Sequence, residues 1–112
     1  MKNELLWKPT FDKIKRTSLQ QFIEHVNFSQ KTNINDFETL HKWSVEHRSC
    51  FWAEIWNFYN VIGEKGREPY LNPDNTLPGT KFFPSGKLNY AENMLKKNNN
   101  DVAIVFWSED KI

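Results

Sequence analysis

The sequence predicts a mainly α-helical chain with a small β element, and three observations lead there. Apolar residues recur at helical spacing in several separate stretches, and Ser, Thr and Asn stand where helix caps belong. Near the C-terminus, Val102-Ala103-Ile104-Val105-Phe106-Trp107 runs on without a polar break, the pattern of a strand buried on both faces. With 112 residues, 15% of them aromatic, the chain has material for one modest core.

In order, Leu5, Leu6 and Trp7 ahead of Pro9 read as an extended arm, because the residue before a proline is pushed out of the helical region. An arm so apolar is expected to dock. One helical turn fits residues 10–15. Thr17 or Ser18, with Gln20 or Gln21 three residues on, then caps an amphipathic helix over residues 19–28 that buries Leu19, Phe22, Ile23 and Val26. Residues 29–35 form a polar linker. Asn35 and Glu38 have capping-box spacing and start a helix through Phe37, Leu40 and Trp43, which breaks near residues 45–47.

The main hydrophobic element follows, a helix from Arg48 or Ser49 that carries Phe51, Trp52, Ile55, Trp56, Tyr59 and Ile62 and stops at Gly63. Trp52 is expected inside the core, so that Trp52→Ala unfolds the isolated domain. Residues 63–86 are rich in Gly and Pro, with a polar insert at residues 72–76, and no regular element is expected there. Asn89, three residues before Glu92, caps a helix over residues 90–97 with Leu88, Ala91, Met94 and Leu95 on its buried face. Asn98-Asn99-Asn100-Asp101 stops it. The apolar run after it is then a strand without neighbours, since the chain ends where a returning strand would begin.

Composition narrows the functional classes. A formal net charge of +1 gives no field to gather nucleic acid or anionic lipid, and no apolar stretch approaches the ~18 residues of a membrane span. The first residues lack the apolar run of a signal peptide. A single cysteine, Cys50, excludes an internal disulfide, and the expected location is the cytoplasm. Asn27-Phe28-Ser29 matches a glycosylation sequon by chance on that view. Cys50 with His25, His41 and His47 is a poor zinc set, and Cys50 reads as a small buried hydrophobe. Gly79 and Gly86 are too widely spaced for a phosphate-binding loop, and Leu88 stands where Ser or Thr would hold magnesium. Glu46 and Glu54 have no reason to share a proton. No catalytic, cofactor-binding or metal-binding residue is assigned.

The stretch LPGTKFFPSGKLNYAENML resembles the segment that leads into the adenylating core of acetoacetyl-CoA synthetases, within the AMP-forming acyl-CoA synthetase superfamily. Leu6-Trp7-Lys8-Pro9, then Leu40-His41-Lys42-Trp43-Ser44-Val45-Glu46, then Phe51-Trp52 agree in order. Related acetyl-CoA synthetases share the Leu-Asn start but usually lack the Tyr-Ala-Glu-Asn continuation. The resemblance implies an N-terminal cap domain: a helical part at residues 1–63, a loop draped over a partner at 64–87, and a helix and strand opening the adenylating domain at 88–112.

It also implies a non-catalytic role. The parent reaction joins ATP, acetoacetate and CoA into acetoacetyl-CoA, AMP and pyrophosphate, a step of fatty-acid and ketone-body metabolism, and its ATP, magnesium and CoA are held elsewhere in the enzyme. This segment would brace the adenylating domain through Trp7, Trp43, Phe51, Trp52, Trp56, Phe83, Asn89, Tyr90 and Asn93. The alternative is a free-standing interaction module, or a remnant with no ligase activity, whose partner is a synthetase subunit or its own copy paired through residues 102–107.

Overall fold

The computed structural model describes residues 4–72 and 77–110. Most of the polar insert expected at residues 72–76, and the chain end at Ile112, lie outside the described residues. The order is α1 (Phe11–Lys15), α2 (Ser18–Gln30), α3 (Phe37–Glu46), α4 (Arg48–Phe58), β1 (Gly63–Glu64), β2 (Lys87–Leu88) and α5 (Tyr90–Met94). The architecture is mainly helical with one small antiparallel sheet of two strands, β1 beside β2.

The helices start where short polar side chains accept the free amides of a first turn. Thr10 caps α1 through the Lys13 amide, and Thr17 caps α2 through the Gln20 amide. The cap of α3 is Asp36 rather than Asn35: its carboxylate accepts from the Thr39 amide at 2.7 Å, and the Thr39 hydroxyl receives the Asp36 amide. Both spacings are present in the sequence, and the reciprocal bond goes to the pair whose carboxylate reaches the helix amides. Lys31 closes α2 in the left-handed region at φ 53°. Behind it Asn27 fastens the linker, accepting from the Ile34 amide and donating to the Ile34 carbonyl, both at 2.8 Å.

Phe22, Ile23 and Val26 of α2, Ile34 of the linker, and Leu40 and Trp43 of α3 form the core, with Phe51, Ile55 and Phe58 of α4 packed against it. The rings meet edge to face, Phe22 on Phe58 at 5.3 Å and on Phe51 at 5.9 Å between centroids, the arrangement the ring quadrupole favours. Leu19 and Phe37, expected inside, are exposed at the rim.

α4 is covered from two sides. Phe51, Ile55 and Phe58 face α2 and α3, while Ala53 and Trp56 are buried and Trp56 meets Phe83 of the later loop at 4.8 Å. An apolar surface wrapping so far around a helix is what burial between two layers requires. Trp52 falls between the two covered faces and stays 36% exposed, its ring edge on Phe51 and Phe82. It is a rim residue, which corrects the expectation that it anchors the core. α4 also ends at Phe58, with Tyr59 as its cap, so Tyr59 and Ile62 do not extend the helical stripe to Gly63.

The Gly/Pro-rich region is more ordered than its composition implies. Gly63 pairs with Leu88 and Glu64 with Lys87. Farther on, the Arg67 amide donates to Ser85 Oγ at 2.9 Å and an antiparallel bridge joins Leu71 to Phe82. The two limbs run back along each other, bury Leu71 and lay Phe82 and Phe83 against Trp52 and Trp56 of α4. Gly63 and Gly66 permit the close approach: their φ angles are 152° and 82°, and an added Cβ would lie 2.6 Å from the Lys87 carbonyl oxygen or 2.5 Å from Ser85 Oγ.

Three expectations fail at the ends. Leu5, Leu6 and Trp7 do not dock and are exposed, as are Leu88, Met94 and Leu95 around α5. α5 itself stops at Met94 and buries no side chain. Residues 102–107 form no strand; the β element is the β1–β2 pair instead. A strand needs a neighbour on its edge, and among the described residues none is offered. The radius of gyration, 18.9 Å, against about 13 Å for a compact chain of this length, reflects these unpacked stretches.

Candidate interaction surface

The residues singled out from sequence divide into three environments. Trp43 and Trp56 are core residues and Phe51 packs on the core. Phe83 is half-buried between Trp56 and Tyr70, in the left-handed region at φ 46°, where a bulky side chain is strained. Trp7 and Tyr90 are exposed, and Lys13 Nζ lies 5.9 Å from the Trp7 ring centroid. Asn89 caps α5 through the Glu92 amide at 3.2 Å, and Asn93 reaches across to Ile62.

Tyr90 belongs to a longer run of exposed apolar residues. Leu88, Tyr90, Met94 and Leu95 stand in solvent, and after them Val102, Ile104, Val105, Phe106 and Trp107 are each 67% to 80% exposed. Lys97 and Asp101, 3.1 Å apart, together with Asn99 donating to Asp101 at 2.9 Å, shape the turn that joins the two parts. These polar contacts hold the Asp101 carboxyl below its ordinary range, the Asn99 bond contributing most.

Two open clefts flank α4. One, of about 390 Å³, is apolar and lies among α2, α3 and α4, walled by Leu19, Phe22, Phe37, Leu40, Phe51 and Ile55. The other, of about 590 Å³, lies between α4 and the loop and is polar, with Ser49, Cys50, Glu54, Asn57, Lys65 and Tyr70 on its walls. Cys50 is exposed at that cleft, which corrects its reading as a buried hydrophobe.

Glu54 is the functional-looking residue that the sequence did not reveal. It is 4% exposed, and its carboxylate receives His25 Nε2–H at 2.7 Å, Ser29 Oγ–H at 2.6 Å and Gln30 Nε2–H at 2.5 Å. Burial pushes its pKa up, but the hydrogen bonds from Ser29, Gln30 and His25, with the attraction of His25, outweigh burial and leave it below the ordinary value. The cluster ties α2 to α4. The Ser29 hydroxyl is directed to the carboxylate, not to the imidazole, so the group lacks the order in which a base activates a nucleophile. A carboxylate inside the otherwise apolar run 51–56 was the available signal; its partners lie at least 24 residues away in sequence.

Among the described residues no three or more His, Cys, Asp or Glu side chains assemble as a metal site, and no helix is long and apolar enough to cross a membrane. The geometry thus defines a small helical segment with a packed centre and an exposed apolar flank. No family profile and no solved structure matches the chain. Comparison with curated proteins identifies the segment: it is homologous to the N-terminal portion of acetoacetyl-CoA synthetases. The protein of that name from Rhizobium meliloti (strain 1021) is 35% identical over 107 residues, 96% of this chain and 16% of the relative. The one from Danio rerio is 32% identical over 113 residues, 99% of the chain and 16% of the relative. A malonamoyl-CoA synthetase from Penicillium aethiopicum is 28% identical over 93 residues, 82% of the chain and 13% of the relative. The chain therefore spans about a sixth of the length of the acetoacetyl-CoA synthetases it matches.

Proposed function

We propose that this chain works as the non-catalytic N-terminal segment of an acetoacetyl-CoA-synthetase-like ligase and braces that enzyme's adenylating domain. The supporting observation is the apolar surface from Leu88 to Trp107, solvent-exposed here, in a chain that corresponds to 16% of its relatives. Burying five large side chains of residues 102–107 is worth on the order of 10 kcal/mol, far above the ~0 to 1 kcal/mol of a surface ion pair. Exposed apolar patches of this kind mark contact surfaces. ATP, magnesium and CoA would bind to the rest of such an enzyme, which would act in the cytoplasm as an AMP-forming ligase of fatty-acid or ketone-body metabolism.

The test is a graft. This chain replaces the matching segment of the Rhizobium meliloti synthetase, and ATP-dependent CoA-thioester formation is measured with acetoacetate. Retained activity, lost when Ile104→Asp is introduced, is the expected result. A graft indifferent to Ile104→Asp would rule out bracing through this surface. The isolated chain should form no thioester, and light scattering should show whether it instead pairs with its own copy.

A further inference from the structure

We propose that Asn93 is a positioning residue: its side-chain amide fixes how α5, and the exposed apolar chain after it, leave the helical core. This rests on the reading above, because a surface that braces another domain must be presented at a set angle.

Among the described residues, no buried side chain of α5 sets that angle. α5 has five residues and buries none of them, so its place on the core depends on polar contacts. Asn93 supplies three. Its Oδ1 accepts the Ile62 amide at 2.8 Å, and its Nδ2 donates to the Ile62 and Asn89 carbonyls, both at 2.9 Å. The amide thus pairs with both backbone groups of Ile62 as a neighbouring strand would. Ile62 immediately precedes Gly63, whose partner in the sheet is Leu88. Asn93 therefore adds a side-chain rung to a ladder of two residues a side.

The anchor is firm on the other side, where the Val61 amide donates to the carbonyl of Trp56, a buried core residue. Orientation then passes from Trp56 through Ile62 to α5, and through the Lys97–Asp101 turn to residues 102–107. Asn27 holds Ile34 by the same pair of bonds, but Ile34 is also buried in the core. There the clamp supplements packing; at Asn93 it stands in place of packing.

Amide hydrogen exchange on the full 112-residue chain tests this. In Asn93→Leu, the Ile62 amide should exchange roughly tenfold faster, while Val26 and Leu40 keep wild-type rates. Asn93→Asp keeps the acceptor and loses both donors, so it should fall between. In the graft, Asn93→Leu should lower thioester formation about tenfold without changing exchange in α2 to α4. Unchanged exchange at Ile62 in Asn93→Leu overturns the clamp, and faster exchange with undiminished graft activity overturns its positioning role. Should the wild-type graft be inactive, the reading of the whole chain fails instead, and dipolar couplings that report α5 at the same angle in Asn93→Leu as in wild type would still overturn the clamp.

Discussion

Residues 18–58 and residues 87–107 are both rich in apolar side chains, yet the first stretch covers its own and the second does not. α2, α3 and α4 enclose Phe22, Val26, Leu40 and Trp43. α5 and the segment beyond it leave Tyr90, Met94, Ile104 and Trp107 exposed. Apolar spacing states which face is to be covered. It does not state whether the cover belongs to the same chain.

The comparison predicts a graded response to mutation in the isolated chain. Trp43→Ala, which empties a core position, should cost roughly 3 to 5 kcal/mol by chemical denaturation. A loss below about 1 kcal/mol would mean that the helical half is not a tightly packed unit.

Glu54→Ala comes next, at about 1 to 3 kcal/mol, because it strips the shared acceptor from His25, Ser29 and Gln30. The same carboxylate has a folded-state pKa below its ordinary value of 4.5. Its contribution is therefore full above about pH 4.5 and is lost as pH falls through the lower folded value. Acid titration should show wild type losing stability across that window, and Glu54→Gln losing less of it. Parallel acid profiles for the two would remove the link between the cluster and α2–α4 pairing.

Trp52→Ala should cost only about 1 kcal/mol, since the ring is already at the rim. A loss as large as that of Trp43→Ala would return Trp52 to the core. Asn89→Ala should destabilise α5 by about 1 kcal/mol, seen as faster exchange at Glu92, with no shift in the main unfolding transition. Smallest of all, Ile104→Asp should leave that transition unmoved within about 0.5 kcal/mol. A substantial loss there would mean that residues 102–107 pack on the core in solution.

Much of the helical half was legible because its signals are local. Thr17 before Gln20, and the apolar series Phe22, Ile23 and Val26, need only a few neighbouring residues to act. The break at His47 between α3 and α4 was legible for the same reason. The pairing of residues 63–71 with 82–88 was not, because Gly and Pro mark turns without naming which limbs meet. Nor was the cluster at Glu54: a carboxylate between Ala53 and Ile55 signals that it is buried, but its three partners sit on another helix, far off in sequence.

The sequence by itself determined the helices, most of their caps and the homology to acetoacetyl-CoA synthetases, because propensity, capping and motif order are properties of short stretches. Only the tertiary structure decided that α4 is covered from two sides, that Trp52 is marginal while Trp56 is buried, and that Asn93 holds Ile62. Each depends on residues brought together from distant parts of the chain. Burial and hydrogen bonding between such residues are set by the packing of whole elements, which no local pattern specifies.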